Sequence, residues 1–78
     1  MSRLILVKAT FDPEAGVWWT DSGDLHGLRI EDATLERLME RLPGAVQDLI
    51  EEEGGVPGDV AIEVVAHAST RVRIAQAA

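Results

Sequence analysis

The sequence predicts an α+β fold with a three-stranded antiparallel sheet, one long helix across one face, and a C-terminal strand. Two turn-forming segments divide the first third of the chain into three strand-like runs. The segment that follows repeats apolar residues at the 3.6-residue period of a helix. A final stretch alternates apolar and other residues, as a strand with one buried face does. The predicted order of elements is therefore β-β-β-α-β.

The first predicted strand covers residues 3–11. Its odd positions are uniformly apolar, from Ile5 to Phe11, whereas the even positions become polar at Lys8 and Thr10. Because side chains alternate between the two faces of a strand, we expect the odd face to line the core. The next residues, 12–16, contain the proline and glycine that favour a chain reversal.

The second predicted strand, residues 17–22, is rich in β-branched and aromatic residues. Trp18 and Trp19 are neighbours, so they must point to opposite faces of the sheet. An exposed tryptophan favours an interface, and coverage by the C-terminal tail is the alternative. A second turn at residues 24–27 leads into a short third strand, residues 28–31.

The helix is predicted over residues 34–53. Its apolar side chains fall within an arc of roughly 120°. They are Leu35, Leu38, Met39, Leu42, Val46, Leu49 and Ile50. Pro43 interrupts the segment, but the apolar phase is the same on both sides, which predicts one helix kinked near Pro43. Thr34 is the expected N-cap with Asp32 as a competitor, and the glycines at 54 and 55 end the helix.

The last predicted strand begins at Val60, with even positions apolar as far as Ala68. The same parity resumes at Val72 and Ile74. Ser69 and Thr70 between them are not a pair that forms tight hairpins, so a bent, extended terminal strand is favoured over a hairpin.

Composition restricts the possible functions. The net charge is −7, with 7 basic against 14 acidic residues, which disfavours nucleic acid as a direct ligand and favours a basic protein partner. Simple solubility is the plainer explanation of this charge. No apolar run approaches the roughly 20 residues of a membrane span, and the N-terminus lacks a signal-peptide pattern. With no cysteine in the chain, these features predict a soluble cytoplasmic protein without membrane contact.

Residues 11–42 resemble the HicB-like antitoxin superfamily, and within it a small stand-alone family of bacterial domains of unknown function. The matching residues are Asp12, Glu14, Ala15, Val17, Trp18, Ser22, Asp24, Leu25, Gly27, Leu28, Thr34, Glu36 and Leu38. His26 replaces the usual proline of the family, which affects the turn geometry. The resemblance implies a partial ribonuclease-H-like fold without its active site. It also implies that Trp18 lies on the inner face and Trp19 on the outer one.

We expect a single HicB-like domain over residues 1–78, without the DNA-binding segment that many HicB proteins append. The expected core is Ile5, Val7, Ala9, Trp18, Leu28, Ile30, Leu35, Leu38, Met39, Leu42, Val46, Leu49, Ile62 and Val64. A chain of this size buries only roughly 60% of its unfolded surface. The small core and an edge strand together favour a homodimer, formed by strand pairing.

The resemblance implies a non-catalytic module that neutralises a small, basic, RNA-cleaving toxin of the HicA type. A stand-alone homodimeric regulatory or structural domain is the alternative from another class. A metal-dependent hydrolase is the third class, but the acidic residues lie mainly in turns and at outward positions. His26 and His67 are predicted surface residues. The sequence therefore predicts no enzyme, no catalytic residue, no cofactor and no metal site.

The predicted partner-binding residues are Trp19, Asp48, Glu51, Glu52 and Glu53. The three consecutive glutamates lie at the helix C-terminus, where the helix dipole already places negative charge. Each exposed acid there costs about 0.3–1 kcal/mol. Such a departure from local preference suggests a surface for a basic partner. A solvated helix end, or pairing with Arg71 and Arg73 within the chain or a dimer, is the alternative.

Overall fold

The structure is a computed structural model that describes residues 3–55 and 58–76. The elements are β1 (Arg3–Asp12), β2 (Val17–Asp21), β3 (Glu31–Asp32), α1 (Leu35–Glu52) and β4 (Val60–His67). This confirms the α+β class and the predicted order of three strands, one helix and a further strand.

The sheet is four-stranded and mixed, with the order β3-β2-β1-β4. The β1–β2 and β2–β3 pairs are antiparallel, whereas β4 lies parallel to β1. The prediction of a three-stranded antiparallel sheet is therefore correct for the first three strands and wrong for the sheet as a whole. The physical reason is the crossover: α1 returns the chain to the end where β1 starts, so β4 must run in the direction of β1.

The third strand is shorter than predicted and begins three residues later. Leu28 is buried in the core and does not take part in a ladder. At Ile30 the pairing with β2 is completed by a side chain. The Thr20 N–H donates to the Ile30 carbonyl oxygen at 3.1 Å, and the Ile30 N–H donates to Thr20 Oγ1 at 3.0 Å.

The core lies between α1 and the sheet. The buried apolar side chains are Ile5, Val7, Ala9, Leu25, Leu28, Leu38, Leu42 and Val46. Of the remaining predicted core residues, Trp18, Ile30, Leu35, Leu49, Ile62 and Val64 are half-buried. Met39 is a wrong prediction, because it is 45% exposed at the margin of the apolar arc of the helix. Leu25 and Thr20 are also buried, although neither is in the predicted core.

One continuous helix contains Pro43, whose side chain faces solvent. Thr34 is the N-cap, as predicted, and its side chain accepts from the Arg37 N–H at 3.2 Å. At the other end Gly54 has a φ of +77°. Its N–H donates to the Glu51 carbonyl oxygen at 3.0 Å. The predicted helix termination is confirmed, whereas the kink near Pro43 stays a prediction.

Residues 68–76, which we name the C-terminal arm, follow β4 and belong to no helix or strand. The arm is exposed throughout, with Val72 at 83% and Ile74 at 86%. The molecule measures 66 × 22 × 19 Å, so the arm extends away from the body. The predicted terminal strand thus joins the sheet only as far as His67.

Candidate functional site

The predicted partner-binding residues lie in two separate places. Asp48, Glu51, Glu52 and Glu53 are exposed at the C-terminal end of α1 and its cap; we name them the acidic helix end. Trp19 is half-buried on β2. The structure does not bring Trp19 and these acids together, because they belong to opposite layers of the fold.

The orientation of Trp19 follows from its neighbour. The ring of Trp18 lies 5.4 Å from that of Phe11 and borders a groove with Leu35 at the start of the helix. Trp18 therefore points toward the helix layer, and Trp19 points to the outer face of the sheet. Leu4, Leu6 and Val65 share this outer face, where they are about half exposed.

Little positive charge neutralises the acidic helix end. Glu53 lies 3.7 Å from Arg3 Nη1, with both side chains nearly half exposed. Glu51 accepts from Gln47 Nε2 at 2.9 Å, and the last turn of α1 has no basic residue. Across residues 3–55 and 58–76, neither Arg71 nor Arg73 forms an ion pair with these acids within the chain. The negative potential of this helix end therefore faces solvent.

The acids of the turns have structural roles. Asp24 accepts from the Leu6 N–H at 2.8 Å, and Ser22 Oγ donates to the Leu6 carbonyl oxygen at 2.6 Å. Asp12 accepts from the N–H groups of Glu14 and Ala15 at 3.0 and 3.3 Å. These side chains continue the hydrogen bonding of β1 beyond the end of β2 and close the first turn.

Asp32 attaches the short β3 to the helix. Arg41 Nη1 donates to Asp32 Oδ2 at 3.1 Å and to the Glu31 carbonyl oxygen at 2.6 Å. Partial burial by itself would raise the pKa of the Asp32 carboxyl. The hydrogen bonds from Arg41 and the Ala33 N–H, together with the charge of Arg37, outweigh this effect and lower the pKa below its ordinary value.

The part of the chain that the structure describes holds no group of three or more His, Asp or Glu side chains placed to bind a metal ion. His26 and His67 are both exposed and lie in different parts of the fold. Within residues 3–55 and 58–76, no helix combines the length and the apolar character needed to cross a membrane.

An apolar groove lies between the C-terminal half of α1 and β4, with a volume of about 420 Å³. We name it the edge groove. Its lining includes Pro43, Val46, Ile50, Val60 and Ile62. The sequence analysis did not predict this groove, because it depends on β4 lying beside β1 at the edge of the sheet. The only sequence signal for it is that the even-numbered positions are apolar in both β4 and the C-terminal arm.

Comparison with known proteins identifies the family of the chain. Residues 4–76 match the family described as a domain of unknown function, DUF1902. No curated protein sequence matches the chain. The crystal structure of the hypothetical protein TTHA1013 from the extremely thermophilic bacterium Thermus thermophilus is similar, with a TM-score of 0.68 and 39% sequence identity. The match covers 92% of this chain and 100% of that protein. The chain therefore belongs to the DUF1902 family.

Proposed function

We propose that this protein is a non-catalytic protein-binding module that acts as a HicB-like antitoxin on a small, basic, RNA-cleaving toxin in the bacterial cytoplasm. The observation that carries the proposal is the acidic helix end, four exposed carboxylates with one ion pair among the described residues. The net charge of −7 supports it, because complementary fields accelerate the encounter with a basic partner.

The hydrogen bonds of the turns support a role without catalysis. Asp12 and Asp24 are acids that the resemblance to HicB-like antitoxins depends on, and both accept backbone N–H groups. Residues with such roles preserve the fold rather than present reactive groups. The proposal therefore includes no metal, no cofactor and no direct contact with nucleic acid.

Trp19 provides a second contact surface in this proposal. It lies on the outer face of the sheet, where the exposed side chains of Leu4, Leu6 and Val65 are its apolar companions. A toxin that contacts both surfaces must reach around one edge of the sheet. The charge and the aromatic contact are therefore separable by mutation.

The test is affinity capture of the tagged protein from the lysate of its own host, with partners identified by mass spectrometry. We expect a small basic protein in stoichiometric amount that elutes at high salt and whose ribonuclease activity falls when this protein is added back. The double variant Glu51→Lys/Glu52→Lys should lose that partner, because it reverses the charge of the acidic helix end.

The matched control is Glu36→Lys/Glu40→Lys, which makes the same charge change on exposed positions near the other end of the same helix. It should keep the partner. Equal loss in both variants would show that only net charge matters. Full retention by Glu51→Lys/Glu52→Lys would reject the acidic helix end as the binding surface.

A stand-alone homodimeric domain is the second candidate function. The observation that favours it is the exposed C-terminal arm, which leaves Val72 and Ile74 without a packing partner in the described chain. No comparable observation favours a metal-dependent hydrolase.

A further inference from the structure

The C-terminal arm has the pattern of a sheet strand but lies outside the sheet. Val72 and Ile74 are on its even face and are 83% and 86% exposed, whereas Arg71 and Arg73 are on its odd face. In β4 the even residues Ile62 and Val64 face the helix layer, because they pair with the buried Ile5 and Val7. The even-numbered residues of the arm are therefore apolar like the inward-facing residues of β4, but they cover no core.

The edge of the sheet at β4 is open. β4 is 8 residues long and hydrogen-bonds to β1 on one side; among residues 3–55 and 58–76 its other side has no strand partner. An exposed strand edge is a template for an added strand. On the helix side of this edge lies the edge groove, lined by Val46, Ile50 and Ile62 among others. An added strand with apolar residues facing the helix would fill it.

The arm of the same chain cannot readily supply that strand. A hairpin back onto β4 would need a tight turn at Ser69 and Thr70, which lack the glycine or asparagine that such turns favour. Within the described chain the only positive φ values are at Gly16, Gly27 and Gly54, so residues 68–76 contain no residue in the left-handed conformation that the two-residue hairpin turns require. Instead the arm is exposed along its whole described length, residues 68–76.

We propose that the C-terminal arm pairs antiparallel with the open edge of β4 in a second copy of this chain, and that the exchange is reciprocal. This inference rests on the homodimer of the second candidate function and adds the surface that forms it. The two copies are related by a two-fold axis near Ala68, where β4 ends and the arm begins. The arm, about 30 Å long when extended, is long enough to follow the whole of β4.

Parity and charge select the register. With the axis at Ala68, Val72 lies beside Val64 of the second copy and Ile74 beside Ile62, so both arm residues face the helix layer. Ile74 then closes the edge groove. On the outer face Arg73 lies opposite the exposed Glu63, which pairs the basic arm of an acidic protein with a carboxylate. Both sheets join into one continuous sheet, and the open edge of each is covered.

Cysteine cross-linking in solution tests this register, because the natural chain contains no cysteine. The double variant Glu63→Cys/Arg73→Cys should form a disulfide-linked dimer under mild oxidation, detected on a non-reducing gel. The single variants Glu63→Cys and Arg73→Cys should stay unlinked, since each cysteine then faces an unsubstituted residue of the other copy.

Sedimentation equilibrium on the full chain tests the apolar contact. Ile74→Asp should raise the dimer dissociation constant at least about tenfold, because a charge would enter the edge groove. Ala75→Asp makes the same charge change one residue away on the outer face and should leave the dimer nearly unchanged. Circular dichroism should show that both variants keep the native fold, since the arm is exposed in the single chain.

The outcomes separate the arm exchange from the homodimer itself. A chain that is monomeric at every concentration overturns both. A dimer that survives Ile74→Asp, or that fails to cross-link between positions 63 and 73, overturns the arm exchange and leaves the homodimer standing. Cross-linking of the double variant together with dissociation by Ile74→Asp alone supports the proposed surface.

Discussion

At Leu6, polar side chains complete the backbone hydrogen bonding of the sheet. β2 ends at Asp21, and beyond it Ser22 and Asp24 provide the hydrogen bonds that a longer strand would have given to the Leu6 backbone. Thr20 does the same for Ile30 on the other side of β2. A side chain in such a place is fixed by the backbone group it satisfies, so Ser22, Asp24 and Thr20 have structural roles in the sheet.

Asp32 gives a prediction for pH dependence. Its pKa is lowered in the folded protein, so its contribution to stability is complete above the unfolded pKa of about 3.9 and is lost as pH falls through the lower folded value. We expect Asp32→Asn to destabilise the protein most near neutral pH. The difference in the free energy of unfolding between the variant and the natural chain should shrink as the pH falls below the pKa of the unfolded carboxyl. Urea unfolding at several pH values measures this.

Glu40→Gln is the matched control for Asp32→Asn, since Glu40 is exposed on the same helix as Arg41 and forms no ion pair with the described residues. Its effect on the free energy of unfolding should be small at every pH. A difference between Asp32→Asn and the natural chain that stays constant down to acidic pH would contradict the assigned role of Asp32.

The helix shows at the scale of an element how local signals and packing cooperate. Its N-cap at Thr34 and its termination at Gly54 are local features. Its continuity through Pro43 is not a local feature, because proline in a helix interior costs about 3 kcal/mol. The buried side chains on both sides of Pro43, among them Leu42 and Val46, hold the helix against the sheet. Packing of one apolar face therefore offsets an unfavourable residue.

Gly44 gives a prediction for this element. It lies inside α1 without a positive φ, and a Cβ built on it meets no atom within 4 Å. Gly44→Ala should therefore raise the free energy of unfolding by about 0.5–1 kcal/mol, because alanine loses less backbone entropy in a helix than glycine does. Chemical denaturation measures the change.

The contrasting variant is Gly27→Ala. Gly27 has a φ of +86°, and its Cβ would meet only Leu49 Cδ2 at an ordinary 3.7 Å. The cost should come from the backbone alone, about 1–2 kcal/mol. If Gly27→Ala were neutral and Gly44→Ala destabilising, the backbone assignments at both positions would be wrong.

The whole molecule combines a small core with an arm that has nothing to pack on. Among the described residues eight apolar side chains are buried, and the half-buried Ile62 and Val64 border an open edge. In a chain this small, association is a common way to add buried apolar surface. The small core and the exposed arm therefore both favour association with a second copy.

Coupling between folding and association predicts a concentration-dependent melting temperature. The Tm of the natural chain should rise by several degrees between about 1 and 100 μM, because mass action stabilises the associated state. Ile74→Asp should abolish the dependence, whereas Ala75→Asp should retain it. Calorimetry or circular dichroism melts at several concentrations measure this, and a constant Tm for the natural chain would contradict the coupling.

The sequence by itself determined the features that depend on near neighbours. The N-cap at Thr34, the helix end before Gly54, the single apolar arc of the helix and the inward odd face of β1 are all visible in local patterns, and the structure confirms them. These features follow from periods of 2 and 3.6 residues and from the hydrogen bonds of chain ends. They are therefore readable without knowing which elements meet.

Only the tertiary structure decided the features that depend on distant contacts. They are the parallel placement of β4, the exposure of Met39, the burial of Leu25, and the separation of Trp19 from the acidic helix end. A local pattern states which face of an element is apolar but not which other element covers it. The edge groove and the exposed arm depend on which elements meet, because β4 pairs with β1 on one side and its other side has no strand partner in the described chain.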